Sequence, residues 1–363
     1  MSNPSTAHPA LPLDFAAVRE AVDTHLADYL DHKARTASDH HMPGEIVDTL
    51  RRFVLAGGKR LRPLLCVCGW YAAGGSGDTT TIVEVAASLE MFHAFALIHD
   101  DVMDRSATRR GHPTVHQTFT RQLRAGRTRT AAERLGIGAA ILTGDLALTW
   151  SDELLHTAGL PAERLAALLP LVDAMRAEVM YGQYLDLVST GDLAGGVDVP
   201  LKVIRYKTAK YTCEQPLRIG ATLAGAAPRV LDALSAYALP LGEAFQLRDD
   251  LLGVFGAPDQ TGKSRLDDLR EGKHTVLVAL ALQHADHGQR ETLRCLFGNP
   301  TLDETGAERI RGVLAATGAR TRVEDMIRTR HAQACHALQL TPLPGPATLA
   351  LRRIADAATV RIS

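Results

Sequence analysis

The chain has 363 residues, 46% hydrophobic and 5% aromatic, with 40 Lys plus Arg against 41 Asp plus Glu and a formal net charge of −1. That length suits one large helical domain with a sizeable core, and an Ala-, Leu- and Arg-rich, aromatic-poor composition argues against a β-sandwich or barrel. The charge balance excludes a generally basic surface for nucleic acid or anionic membrane, so phosphate binding must come from local clusters.

Residues 1–12 read as a flexible arm and 13–363 as a single all-α domain. No basic region followed by an apolar segment opens the chain, so no signal peptide is expected. No apolar run reaches the ~18–20 residues of a membrane span. The five cysteines (Cys66, Cys68, Cys213, Cys295 and Cys335) are odd in number and match no zinc spacing. They read as reduced thiols of a cytoplasmic protein.

Helical periodicity begins near Phe15 and runs past Leu30; residues 33–43 read as a polar, His-rich loop. A helix from Glu45 breaks at Gly57-Gly58, and Lys59-Arg60-Leu61-Arg62-Pro63 leads into an apolar helix from Leu64. After the Gly74–Asp78 turn, a strongly apolar helix from about Thr80 runs into Asp100-Asp101-Val102-Met103-Asp104. Residues 121–134 carry five arginines and read as a surface loop before a buried helix from Leu135 to Leu155. Pro161 opens a helix to Val188. Leu201–Tyr211 and Cys213–Ala226 read as helices with a kink near Pro216. Val230–Phe255 is another long helix, followed by a polar loop over 256–273 and further helices. Strand alternation and β-hairpin signals are absent. The simplest architecture is an antiparallel helix bundle around a central cavity.

Two long apolar helices each end in Asp-Asp. Asp100 and Asp104 lie one turn apart on one face, with His93 two turns back. In Phe245-Gln246-Leu-Arg-Asp249-Asp250-Leu-Leu-Gly253, Gln246 shares a face with Asp249 and Asp250. A solvated helix end explains most single Asp pairs. Two such ends, each followed by a Lys/Arg-bearing loop, fit a divalent-metal clamp for a diphosphate, with Mg²⁺ the natural ion.

The ordered motifs Gly57–Pro63, His93–Asp104, Arg109–Thr114, Gly182–Asp186, Lys207-Thr208, Phe245–Gly253, Gly262-Lys263 and Glu271–Lys273 resemble those of the trans-isoprenyl diphosphate synthases, or polyprenyl synthetases. The resemblance implies the isoprenoid synthase type I fold and a homodimer. Each subunit would condense isopentenyl diphosphate with an allylic diphosphate (dimethylallyl, geranyl or farnesyl). It implies Asp100 and Asp104 as ligands of two Mg²⁺ ions and the Asp249-Asp250 pair as the site of a third, with Mn²⁺ as a substitute. Arg109, Lys207 and Lys263 would face the allylic diphosphate. Lys59, Arg62, His93 and Arg110 would hold isopentenyl diphosphate, and Thr208 and Gln246 would lie near the carbocation.

One departure stands out. The family's second aspartate motif usually carries a third Asp where this chain has Gly253, which removes a supporting carboxylate. Product length is read on the helix before Asp100. Phe95 lies about 7.5 Å and Phe92 about 12 Å from Asp100 at ~1.5 Å per residue, with small Ala96 beside Phe95. By resemblance, this pattern implies a geranylgeranyl-type (C20) product, with C15 and C25 open. A class I terpene cyclase is disfavoured by Gly57–Pro63 and Asp249-Asp250. A non-catalytic subunit of a heteromeric synthase is disfavoured by the retained aspartates and basic residues.

Overall fold

The computed structural model describes residues 13–194, 196–256 and 265–359. The expected arm at 1–12 and Lys263 lie outside them. Helices dominate the described residues: α1 (Phe15–Asp39), α2 (Gly44–Leu55), α3 (Leu61–Ala72), α4 (Thr80–Met103), α5 (Val115–Gln122), α6 (Arg129–His156), α7 (Ala162–Ser189) and α8 (Asp198–Val203). A π-helical segment over Ile204–Glu214 follows. Then come α9 (Gln215–Leu223), α10 (Pro228–Phe255), α11 (Asp267–Glu271), α12 (Val276–His284), α13 (His287–Leu296), α14 (Glu304–Ala316), α15 (Ala319–Leu340) and α16 (Gly345–Thr359).

Two boundaries differ from expectation. α1 continues through the polar stretch to Asp39, where Lys33 pairs with Glu153 of α6 at 2.6 Å. α6 starts at Arg129, six residues early, because the Thr128 side chain caps it by accepting from Ala131 N. A minimal hairpin also appears where none was expected. Thr108–Arg109 pairs antiparallel with His112–Pro113. Arg110 and Gly111 both take positive φ (53° and 77°), as a two-residue primed turn demands.

α4 is the central helix. It lies against α6, α3 and α1, and its residues from Ile82 to Ile98 form much of the largest apolar cluster. By length and composition it could cross a membrane, yet 67% of its apolar window is buried within the protein. It stops when Arg105 turns into the left-handed region at φ 54°. That turn leaves Asp100, Asp101 and Asp104 at the helix's C-terminal mouth.

The irregularity expected near Pro216 lies ahead of it, in the π-helical segment, and Pro216 sits at the start of α9. The wider turn keeps residues four and five apart on one face, so Lys207, Thr208, Tyr211 and Thr212 all look into the same cavity. Two glycines admit this segment between its neighbours. A Cβ on Gly182 of α7 would meet Lys207 N at 2.6 Å, and one on Gly242 of α10 would meet Ala209 Cα at 2.4 Å.

Candidate active site

One cavity of about 960 Å³ runs between α4, α7, the π-helical segment and α10. Lys59, Arg62, His93, Phe95, Ala96, Asp100, Arg110, Lys207, Thr208, Gln246, Asp249 and Asp250 all line it, although they come from stretches nearly 200 residues apart. Asp186, Gly253, Asp268 and Lys273 line it too.

At the α4 mouth, the carboxylates are held by cations. Lys207 Nζ donates to Asp100 Oδ1 at 3.0 Å and to Asp186 Oδ2 at 2.7 Å. Burial alone would raise the Asp100 carboxyl, but Lys207, Arg109 and Lys273 outweigh it and hold it at about 2. Asp104 has Lys273 at 3.5 Å. Its carboxyl is nevertheless raised, by burial and then by the neighbouring Asp100. Arg109 does not line the cavity. Its guanidinium is committed to the buried Asp101, at 2.7 Å, and to Asp100, at 3.3 Å, so it braces the acidic corner from behind.

On α10, Gln246 ties two elements together. Its amide nitrogen donates to Asp250 Oδ1 at 2.8 Å, and its oxygen accepts from the Thr208 hydroxyl at 2.7 Å. Burial pushes the Asp250 carboxyl up to about 7 despite the Gln246 hydrogen bond, with Asp268 and Asp249 adding repulsion.

Gly253 acquires a structural meaning. A Cβ at that position would sit 2.0 Å from Asp268 Oδ2. The carboxylate absent from α10 is thus met by one from α11, which occupies the space the glycine leaves open. Lys273 lies 3.6 Å from Asp268, 3.0 Å from Glu271 and 3.5 Å from Asp104, so it spans both acidic ends. The Glu271–Lys273 motif was visible in the sequence, but no role was read for this lysine. Only folding places it between the two ends. Asp186 was likewise visible as the i+3 partner of Gln183, a spacing that fits an ordinary surface pair equally well.

The far end of the cavity is cationic. Arg110 donates to Gly57 O and lies along Gly58, where an added Cβ would be 3.0 Å from its guanidinium. Arg60 is strained at φ 48° and buried. At the cavity wall it pairs with Glu90 at 2.8 Å and with Asp23 at 2.6 Å, anchoring the loop that presents Lys59 and Arg62. Arg62 stacks on the Tyr211 ring at 4.2 Å and donates to Thr212 Oγ1 at 2.6 Å. His93 Nδ1 lies 3.2 Å from the Tyr211 hydroxyl. Burial, then Arg62, Arg109 and Arg110, depress His93 far below the usual imidazole range, so the ring is neutral.

Between the two ends, the wall along α4 is apolar. Phe95 and Ala96 line it. Phe92 does not; it is buried behind Phe95, with ring centroids 5.3 Å apart, and its other edge packs on Tyr211.

The donor set fits divalent cations. Asp100, Asp186, Asp249, Asp250 and Asp268 share one cavity with Asp104 beside it, and the raised Asp250 and Asp104 mark carboxyls that ionise at a cost when no cation faces them. Hard oxygen donors with room for a diphosphate match the preference of Mg²⁺.

A polyprenyl synthetase family model matches residues 44–314, and the chain belongs to that family. It is a prenyltransferase of the trans-prenyl diphosphate synthase class. The geranylgeranyl pyrophosphate synthase of Corynebacterium glutamicum, solved with isoprenyl diphosphate and magnesium, superposes with a TM-score of 0.92 at 40% identity over 96% of this chain and all of that one. A geranylfarnesyl diphosphate synthase of Aeropyrum pernix is 32% identical over 79% of this chain and 84% of its own length. A (2E,6E)-farnesyl diphosphate synthase of Mycobacterium tuberculosis is 33% identical over 78% and 71%.

The carboxyl shifts predict a pH dependence. Asp250 at about 7, Glu271 at about 6 and the raised Asp104 hold protons in the folded state that the unfolded chain has already released. Because the native state then binds more protons, stability falls as pH rises between about 4 and about 7. The metal-free protein should therefore lose thermal stability between about pH 5 and about pH 7.5. Mg²⁺ should restore it, and Asp250→Asn should flatten the dependence; differential scanning calorimetry reads all three.

Proposed function

We propose that the chain makes an all-trans prenyl diphosphate by head-to-tail (1′-4) condensation of isopentenyl diphosphate with allylic diphosphates, and that the main product is geranylgeranyl diphosphate (C20). The observation that carries this reading is the cavity's polarity. An acidic end with interleaved lysines and a cationic end face each other across an apolar wall.

Asp100 and Asp104 would hold two divalent ions, and Asp249 with Asp250 a third. When bound, these ions neutralise the diphosphate leaving group. Lys207, and by family resemblance Lys263, add fixed positive charge where that leaving group departs. Arg109 acts by orienting Asp100 and Asp101. Lys59, Arg62, His93 and Arg110 receive the diphosphate of the isopentenyl substrate, with neutral His93 as a hydrogen-bonding rather than charged partner. Breaking the allylic C1–O bond leaves a carbocation, which the C4 end of the isopentenyl double bond attacks. Loss of a proton from its C2 completes the product, with the departed diphosphate as base. The hydrogen-bonded Thr208 and Gln246 oxygens would stabilise that cation, and the Phe95 wall would keep water away from it.

A second copy of the chain is proposed to cover the outer face of α6 and α7. Tyr181 and Val188, two helical turns apart on α7, are 71% and 57% exposed, and Leu142 on α6 is 59% exposed. An apolar stripe of that kind marks an association surface. Light scattering should give the mass of two chains, and Tyr181→Glu with Val188→Glu should give one.

Product length is assigned to Phe95, the aromatic that meets the cavity, with Phe92 as its support. Incubation with labelled isopentenyl diphosphate and each allylic primer should yield a C20 product that requires Mg²⁺. Phe95→Ala should add one or more isoprene units, whereas Phe92→Ala alone should change length less. Unchanged products from Phe95→Ala would remove it as the floor, and absence of elongation with every primer would reject the activity. Gly253→Ala places a Cβ against Asp268. It should raise the Mg²⁺ concentration for half-maximal activity several-fold without lowering Tm, since alanine favours the helix by about 1 kcal/mol.

A further inference from the structure

Outside the lining of this cavity, α15 and α16 bring three chemically different donors to one point. His331 and Cys335 are four residues apart on α15 and so share a face. Asp356 reaches the same spot from α16. His331 Nε2 is 3.0 Å from Asp356 Oδ1, and Cys335 Sγ is 3.6 Å from the same Nε2. All three donor atoms lie within 4.8 Å of one another.

The convergence on a single nitrogen matters. In a nucleophile relay, the base meets its nucleophile through one ring nitrogen and its orienting carboxylate through the other. Here thiol and carboxylate meet the same Nε2. That atom cannot at once give a proton to the carboxylate and a lone pair to the thiol, so the three groups do not form the two-nitrogen relay, while all three can donate lone pairs to one cation once the thiol and the ring nitrogen are deprotonated.

With Zn–N near 2.0–2.1 Å and Zn–S near 2.3 Å, a tetrahedral N–Zn–S edge is about 3.5 Å, against the observed 3.6 Å, whereas the 3.0 Å between His331 Nε2 and Asp356 Oδ1 is a hydrogen-bond distance that must open to about 3.4 Å to admit the ion. One imidazole, one thiolate and one carboxylate form a borderline donor set that suits zinc over magnesium or calcium.

We propose that His331, Cys335 and Asp356 form a zinc-class divalent-metal site that clips the C-terminal helix α16 onto α15, with solvent as the fourth ligand. α16 is also held by apolar packing of Leu351, Ile354 and Ala355, by a hydrogen bond from the buried Tyr237 hydroxyl to Leu351 O and by Arg353 over the Phe15 ring at 5.2 Å. The thiolate and carboxylate offset the cation's charge, and Arg352 on α16 is the nearby opposing cation. Binding exchanges the thiol proton for the metal, so affinity rises with pH.

The test uses the full chain, reduced, with Mg²⁺ present to occupy the carboxylate-rich cavity. Titration with Co²⁺ should develop a thiolate-to-cobalt charge-transfer absorption that saturates at one equivalent and that Zn²⁺ displaces. Cys335→Ser should abolish the band and His331→Ala or Asp356→Asn should weaken binding, while Cys295→Ser should leave it intact. Zn²⁺ should raise Tm in the parent chain but not in Cys335→Ser. Absence of the band, or its persistence in Cys335→Ser, overturns the site. Prenyl transfer is expected to survive in all four variants, which separates this outcome from the activity reading.

Discussion

Mutual repulsion of carboxylates is the constraint around which this structure is arranged. Asp100, Asp186, Asp249, Asp250 and Asp268 face one cavity, with Asp104 at its edge, and no apolar packing can hold so many like charges together. Among the described residues, two lysines help to do so from within the protein, with Arg109 bracing Asp100 from behind. Lys207 bridges Asp100 and Asp186, and Lys273 reaches Asp104, Asp268 and Glu271. The balance is incomplete, as the elevated Asp250, Asp104 and Glu271 record. Among the described residues, carboxyls raised by burial and mutual repulsion mark a site prepared for further positive charge, and for an anion that brings its own oxygen ligands.

The backbone accepts strain to present these groups. Arg60, Arg105 and Arg110 all adopt the left-handed conformation that side chains normally avoid. Each does so where a chain reversal must place a charge: at the entrance to α3, at the end of α4 and at the hairpin tip. The π-helical segment serves the same end, since its wide turn aligns Lys207 and Thr208 with Tyr211 and Thr212 on the cavity side. Such distortions persist only where surrounding packing overdetermines them, and here they cluster at the site.

Much of this was legible in one dimension. Apolar periodicity marked the main helices, and the two Asp-Asp helix ends marked the acidic end of the cavity. Boundaries were harder. The polar stretch at 33–39 looks like a loop because its helical stabilisation comes from a distant partner, the Lys33–Glu153 pair. The arginines at 129–134 look like a solvated loop because a Thr128 cap outweighs their polarity. The π-helical segment left no periodic signature, because eleven residues do not separate a 3.6-residue repeat from a slightly wider one.

The order and spacing of its motifs determined by themselves what kind of protein this is: an all-α prenyl diphosphate synthase, with its acidic and basic groups named in advance. Those features are local, and a helix face can be counted from residue spacing alone. The tertiary structure alone decided which charges meet. It turned Arg109 onto Asp101, set Phe92 behind Phe95, gave Lys273 a place between the acidic ends and let Asp268 enter the space beside Gly253. Each of these depends on how far one helix is rotated against another. That rotation is set by packing across the whole bundle, and no single stretch of sequence carries it.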